Sequence, residues 1–373
     1  MQNRFPGTMQ CLVLSLIVCG VCSTAQAQTF TYRSVRSLKQ PRDPHYVTSL
    51  ILDPVGNLYG TSFYGGADNV GTVFKVTPQG SLTVLHSFSS SFGGELPWSL
   101  ASDSRGDLYG ATPYIRSEFD YNATIFKMAA EPHGKYNFGN LWSQFSGPEA
   151  LAVDSANNIY GVIQPYAGIV SGGCGSCLFQ ISETGTFTDL WDFDYANYNP
   201  LGTIVTDKSG SVYGTIGGDG GSSSWGYVYR WSPSSGYSVL HSFDGTDGTY
   251  PNSLVLDAAG NLYGTTSDGG ANSLGTAFTI SAAGAFSTLY NFCSLPNCTD
   301  GQNPSGTLAV DSSGNLYGTT TRYSPRVYKL TPSGTEIVIY SGPTSVGSLL
   351  VMDKTGNLYG VDSLGVYELT SSK

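Results

Sequence analysis

The sequence holds seven copies of one short chain reversal, and that repetition constrains the fold more than any other feature. The copy at Asp257-Ala258-Ala259-Gly260-Asn261-Leu262-Tyr263-Gly264-Thr265 reads as the end of one strand, a four-residue turn and the start of the next strand. Asp257 can fold its carboxylate back onto the N–H groups of its own turn, and Gly260 supplies the positive φ that such a reversal commonly needs. The pattern recurs from Asp53, Asp103, Asp154, Asp207, Asp311 and Asp353, with Gly56, Gly106, Asn157, Gly210, Gly314 and Gly356 at the glycine place. The single departure is Asn, the residue that best tolerates left-handed backbone after glycine. Successive aspartates lie 50, 51, 53, 50, 54 and 42 residues apart, a period that belongs to propellers and solenoids.

Within repeat five, four strand-like runs can be read: Ser253–Leu256, Leu262–Thr266, Thr276–Ile280 and Phe286–Phe292. Heavy use of Gly (48), Tyr (25) and Phe (17), with only 12% charged residues, agrees with many short strands joined by tight turns. Four antiparallel strands per unit is a propeller blade. Repeat seven offers Ser348–Met352, Leu358–Gly360 and Val366–Leu369 and then lacks a fourth strand, whereas residues 30–38 form an orphan strand comparable to Ser81–Phe88. If the orphan completes the last blade, the ring shuts and buries its own edges. The expectation is an all-β, seven-bladed propeller, one domain over residues 28–373, closed by its N-terminal strand.

Gly56-Asn57-Leu58-Tyr59-Gly60-Thr61, Gly71-Thr72-Val73-Phe74-Lys75-Val76 and Leu82-Thr83-Val84-Leu85-His86-Ser87-Phe88 together resemble the bacterial GloVer tandem repeat, found in exported "choice-of-anchor" proteins. The likeness spans nearly all of the chain after residue 27 and is looser in blades two and three, at Ala123-Thr124-Ile125-Phe126-Lys127 and Cys177-Leu178-Phe179-Gln180. It implies an exported repeat protein of undefined biochemical role, often anchored, and it brings no catalytic residues. The C-terminal Glu368-Leu369-Thr370-Ser371-Ser372-Lys373 carries no recognisable anchor.

Residues 1–27 read as a secretory signal: Arg4, an apolar run from Cys11 to Val21, and Ala25-Gln26-Ala27 before the expected cut. The apolar run is too short to span a bilayer, no other transmembrane candidate is seen, and Val18 argues against a lipoprotein signal at Cys19. A secreted or periplasmic monomer is expected. The formal net charge of −10 lacks the basic footprint of a nucleic-acid binder.

Alternating strand direction puts the Asp turns and the third turns of each blade on one side of the ring. The loops between second and third strands share the other side with the links between blades, and most of the length variation falls there. Binding residues belong on such loops. Tyr64, Tyr114, Tyr166, Trp225 and Tyr323 are the aromatic candidates for stacking on a sugar or gripping a protein partner, or alternatively for fixing their own loops; His45 is the one histidine on that side. The seven repeat tyrosines (Tyr59, Tyr109, Tyr160, Tyr213, Tyr263, Tyr317, Tyr359) are read as packing between blades, and the turn aspartates as structural. His86 and His241 share a fourth-strand place with Trp142, Trp191 and Tyr290, a place that asks for a flat ring.

Cys174, Cys177, Cys293 and Cys298 make an even count in an exported chain, and each close pair is expected to form its own disulfide in preference to a shared zinc site. Asp244, Asp247 and Asp300 lie beside glycines without the spacing of a calcium loop and are read as turn residues. No metal or cofactor is expected. The leading function is a non-enzymatic binding protein for a glycan or protein. The alternatives are a hydrolase or lyase using Glu95, Asp194, Asp219 and Asp268 with His45 at the central opening, and a structural surface-layer component.

Overall fold

The computed structural model describes residues 30–89, 96–112, 123–144, 148–163, 176–193, 202–218, 225–322, 325–341 and 346–371. Seven sheets, each of four antiparallel strands, follow one another around a ring as a seven-bladed β-propeller. Blade one is His45–Leu52, Leu58–Tyr64, Thr72–Val76 and Leu82–Ser87. Blade five is Thr249–Leu256, Leu262–Asp268, Thr276–Ile280 and Phe286–Asn291, close to the boundaries read from sequence.

Closure follows the expected scheme. Phe30–Ser37 pairs antiparallel with Gly365–Ser371, from Phe30 opposite Ser371 to Ser37 opposite Gly365, with a bulge between Ser34 and Arg36. It is the fourth strand of the blade that also contains Val346–Met352 and Leu358–Asp362. Arg33 Nε donates to the buried Glu368 carboxylate at 2.7 Å, fixing the register of the joint.

The core is divided among the junctions. Each of seven hydrophobic clusters draws from two neighbouring blades; the one across the closure joins Leu50, Leu58 and Phe74 to Tyr359 and Val366. All seven repeat tyrosines pack into these junctions, Tyr213 as a partly buried member.

Every turn aspartate accepts the backbone N–H groups two and four residues on, and in the five blades with Asn at the fourth place it also accepts that side-chain amide. Asp257 Oδ1 accepts the Ala259 and Asn261 N–H groups at 2.9 and 2.8 Å, and Oδ2 accepts Asn261 Nδ2 at 2.8 Å. The repeat Tyr then donates its hydroxyl to the aspartate six residues before it, as in Tyr213–Asp207 and Tyr317–Asp311, both at 3.0 Å. Burial opposes ionisation of Asp257, but these hydrogen bonds outweigh it and hold the carboxyl below its ordinary range.

The glycine after each repeat tyrosine has a different task. A Cβ on Gly264 would run into the Phe278 ring, and one on Gly318 into the Tyr328 ring, so the third-strand aromatic lies directly over bare backbone. Further out, fourth-strand rings stack from blade to blade: His86 on Phe138 (3.8 Å, 4°), Trp191 on Tyr237 (4.4 Å, 3°) and His241 on Phe286 (3.5 Å, 6°). That is the flat-ring place expected for His86 and His241. Glu336 occupies the stacking-partner position in blade six.

Candidate functional site

Among the described residues, a latch shapes the loop-rich side at the entry to three blades. At the start of the first strand of blades two, five and six, Leu96, Tyr250 and Asn303 adopt left-handed backbone, with φ of 57°, 54° and 52°; Leu96 and Asn303 lie just before the strand and Tyr250 is its second residue. Their N–H groups donate to Val70, Trp225 and Leu274 of the preceding blade at 3.0, 3.0 and 2.8 Å. In each case the accepting residue precedes a positive-φ glycine (Gly71, Gly226, Gly275) that turns the chain into the third strand. A non-glycine residue held there costs on the order of 1–3 kcal/mol, which the surrounding contacts must offset.

The closure junction is built differently. Tyr46 has the same left-handed backbone (φ 57°), but the preceding blade supplies only a two-residue turn, 363–364, between Leu358–Asp362 and Gly365–Ser371. The Leu364 carbonyl there accepts the Leu38 N–H at 3.2 Å. With so little loop to cover it, the junction keeps a cavity of about 400 Å³ lined by His45, Tyr46, Val47, Leu349, Asp362 and Ser363 among others. Below its edge the Tyr32 hydroxyl donates to Asp362 at 2.9 Å; burial and the Asp362 carboxylate push that phenol up to about 12.

An aromatic shelf adjoins this cavity. Tyr46 is 69% exposed and lies nearly parallel to Phe63, 5.4 Å away at 7°. Phe63 in turn meets Trp98 at 5.0 Å, and His45 stacks on Tyr64 at 5.5 Å. His45 Nδ1 lies 2.9 Å from the Asp43 carbonyl, where the N–H tautomer donates. Tyr64 is 39% exposed and Trp98 36%. Two sequence candidates, His45 and Tyr64, are therefore brought together, and three neighbours were missed. Tyr46, Phe63 and Trp98 lie at or beside strand ends, and Phe63 and Trp98 also bound loops of the variable side. The one sequence signal available for Tyr46 is its place seven residues before Asp53, matching Tyr250 before Asp257.

Trp225 is placed apart, packed over Gly245 and against the core between blades four and five. Tyr114, Tyr166 and Tyr323 lie outside the described residues, as do Glu95, Asp194, Asp219, Cys174 and residues 1–27. Asp268 lines a separate cavity of about 390 Å³ with Tyr250, Pro251, Asn252 and Ser267, so it does not meet His45. The central opening, about 460 Å³, is lined by residues in or beside the first strands, such as Thr48, Ser99, Thr203, Thr307 and Leu349, and no carboxylate or imidazole is among its described lining.

Cys293 and Cys298 form a disulfide, and Cys177, buried between blades two and three, is also disulfide-bonded. Asp300 is fully buried beside the first bridge, accepting the Tyr290 hydroxyl at 2.6 Å and the Ser294 N–H at 2.7 Å. Asp244 accepts the Thr246 N–H, and Asp247 lies 2.7 Å from His241 Nε2, so these acids serve their turns. Among the described residues no group of three or more His, Cys, Asp or Glu converges on a metal position, and no helix is long and apolar enough to cross a membrane.

Two solved propellers resemble the whole ring. The structure of streptogramin B lyase superposes with a TM-score of 0.63 at 12% identity, covering 92% of this chain and 98% of that one. The WD40 β-propeller domain of Doa1 gives 0.59 at 11% identity, covering 92% and 97%. At such identities the likeness is one of fold. Among curated proteins none matches the sequence. A family model, the Gloeobacter/Verrucomicrobia repeat, matches residues 18–219 and again 176–371, and the chain belongs to that family.

Proposed function

We propose that this propeller is an exported binding protein whose ligand, a glycan or an apolar side chain of a protein partner, seats on the loop-rich side at the junction of blades seven and one. The observation that carries the reading is the Tyr46 ring, backed by Phe63 on one side and 69% exposed beside an uncovered cavity. An aromatic ring left in water next to a concave pocket, and held there by costly backbone, is organised for contact before the ligand arrives. Export is supported by the leader-like composition of residues 1–27 and by the Cys293–Cys298 bridge.

The test is glycan-array binding of the mature protein beside its Tyr46→Asn variant. Asn303 occupies the equivalent left-handed position in blade six, so Asn keeps the backbone and removes the ring. Array signal lost in the variant supports the glycan form. Signal that the variant retains in full places the ligand elsewhere. A silent array, combined with a Tyr46-dependent cross-link to a surface protein, supports the protein form.

A further inference from the structure

Tyr250 shares the left-handed backbone, exposure and bordering cavity of Tyr46 across the ring, and we infer that the loop-rich side carries two related sites that together hold a neutral polysaccharide. This rests on the junction reading above and extends it to a second site and a ligand class. Tyr46 and Tyr250 are each the second residue of a first strand, His45–Leu52 and Thr249–Leu256. Both are left-handed, at 57° and 54°, and both remain exposed, Tyr250 by 37%. Each lines a cavity, of about 400 and 390 Å³. Blades one and five are separated by three blades one way and two the other, so the two tyrosines stand across the central opening from each other.

The chemistry of the second cavity narrows the ligand. Asp268 and Ser267 present hydrogen-bonding groups beside the Tyr250 ring: Asp268 Oδ1 accepts Asn303 Nδ2 at 3.1 Å and Oδ2 accepts Ser267 Oγ at 3.2 Å, and each carboxylate oxygen keeps a further lone pair. A flat ring beside a hydroxyl-accepting carboxylate suits a pyranose whose hydroxyls are equatorial, with its axial C–H groups on the ring face. At the first cavity the carboxylate is Asp362, which comes from the preceding blade and accepts the Tyr32 hydroxyl and the Leu364 and Gly365 N–H groups. A carboxylate in each cavity, on a chain of net charge −10, disfavours acidic polymers. The same recognition group set twice on one surface fits a ligand that repeats its own unit, and a β-linked neutral glycan does so.

The experiment is calorimetric titration with cellohexaose, xylohexaose and chitohexaose, all β-1,4-linked and neutral, using wild type, Tyr46→Asn, Tyr250→Asn and the double variant. Melting temperatures serve as the folding control. The inference expects two sites per chain in wild type for the best of the three, one in each single variant and none in the double. With a soluble polymer of the same sugar, either single variant is expected to weaken apparent binding by about 100-fold, the avidity lost with one anchor. One site that vanishes with Tyr46→Asn and ignores Tyr250→Asn overturns the second site alone. One site that vanishes only with Tyr250→Asn overturns the closure-junction reading. Absence of binding to all three oligosaccharides overturns the glycan class for both cavities, leaving the protein form of the first reading to the array and cross-linking test.

Discussion

The Tyr160 hydroxyl donates to Asp154 Oδ2 at 3.1 Å, tying the second strand of blade three to the turn that starts it. Gln180 Nε2 donates to the same hydroxyl at 2.8 Å, so a phenol inside a junction core links two strands and a turn. Burial, followed by the Asp154 charge, pushes this phenol up to about 12, and it stays protonated as a donor at any physiological pH. Tyr160→Phe keeps the packing and removes the donor. The expected loss is about 1.5–3 kcal/mol in a urea titration, as for a hydrogen bond to a charged acceptor.

The turn carboxylates set an acid limit on stability. In Asp207, Asp257, Asp311 and Asp353 burial raises the pKa but is outweighed by hydrogen bonds from turn N–H groups and side chains, so each is held below its ordinary range. The folded state then binds fewer protons than the unfolded state as pH falls below about 4. The stabilisation is complete above that value and is lost as pH drops through the folded pKa values. Calorimetry should show the melting temperature falling steeply between about pH 4 and pH 2, and less steeply in Asp257→Asn.

Glycines of similar appearance should respond in opposite ways. Gly264→Ala drives a methyl into the Phe278 ring and is expected to cost ~1–3 kcal/mol, as over-packing does. Gly139, in the strand Tyr136–Gln144, has nothing within 4 Å of the position a Cβ would take. Gly139→Ala is expected to leave stability unchanged or raise it by about 0.5 kcal/mol. Equal losses in the two variants would refute the ring-over-backbone account.

Glu336 interrupts the ring-stacking belt and brings a pH slope of the opposite sign. Burial first, and then the nearby Asp300 charge, raise its pKa from 4.5 to about 7, with Arg326 acting against them. A raised carboxyl pKa contributes stability that is full below the unfolded value and is lost as pH rises through about 7. Glu336→Phe installs the residue that Phe138, Phe187 and Phe286 supply at the same place in other blades. Thermal melts from pH 4.5 to 8 should show a decline in wild type that flattens in the variant, with the largest gain for the variant at pH 8.

Much of the ring was legible because backbone requirements recur in it. Gly260 and its equivalents marked the turns, Asp257 its own hydrogen bonds, and the missing fourth strand of repeat seven pointed to residues 30–38. The tyrosines were read only as filler, since spacing along a strand does not reveal that a hydroxyl six residues on reaches back to the turn aspartate. The glycine after each tyrosine is explained only by the third-strand ring above it, a contact between residues about 14 apart, such as Gly264 and Phe278. The junction cavity could not be read at all. It comes from what the 363–364 turn fails to cover and from a left-handed Tyr46, and neither composition nor periodicity records a residue's φ.

Closure by the strand Phe30–Ser37 has a consequence for how the molecule comes apart. A linear repeat array can fray from its terminal units, because each end has a neighbour on one side only. Here the first described strand is an edge of the last blade, so no unit is terminal and every junction core has both of its walls. Peeling that strand away unlocks the Leu50–Tyr359 junction as well as the seventh sheet. Loss of structure should therefore begin at one place and run through the whole circle as a single cooperative event.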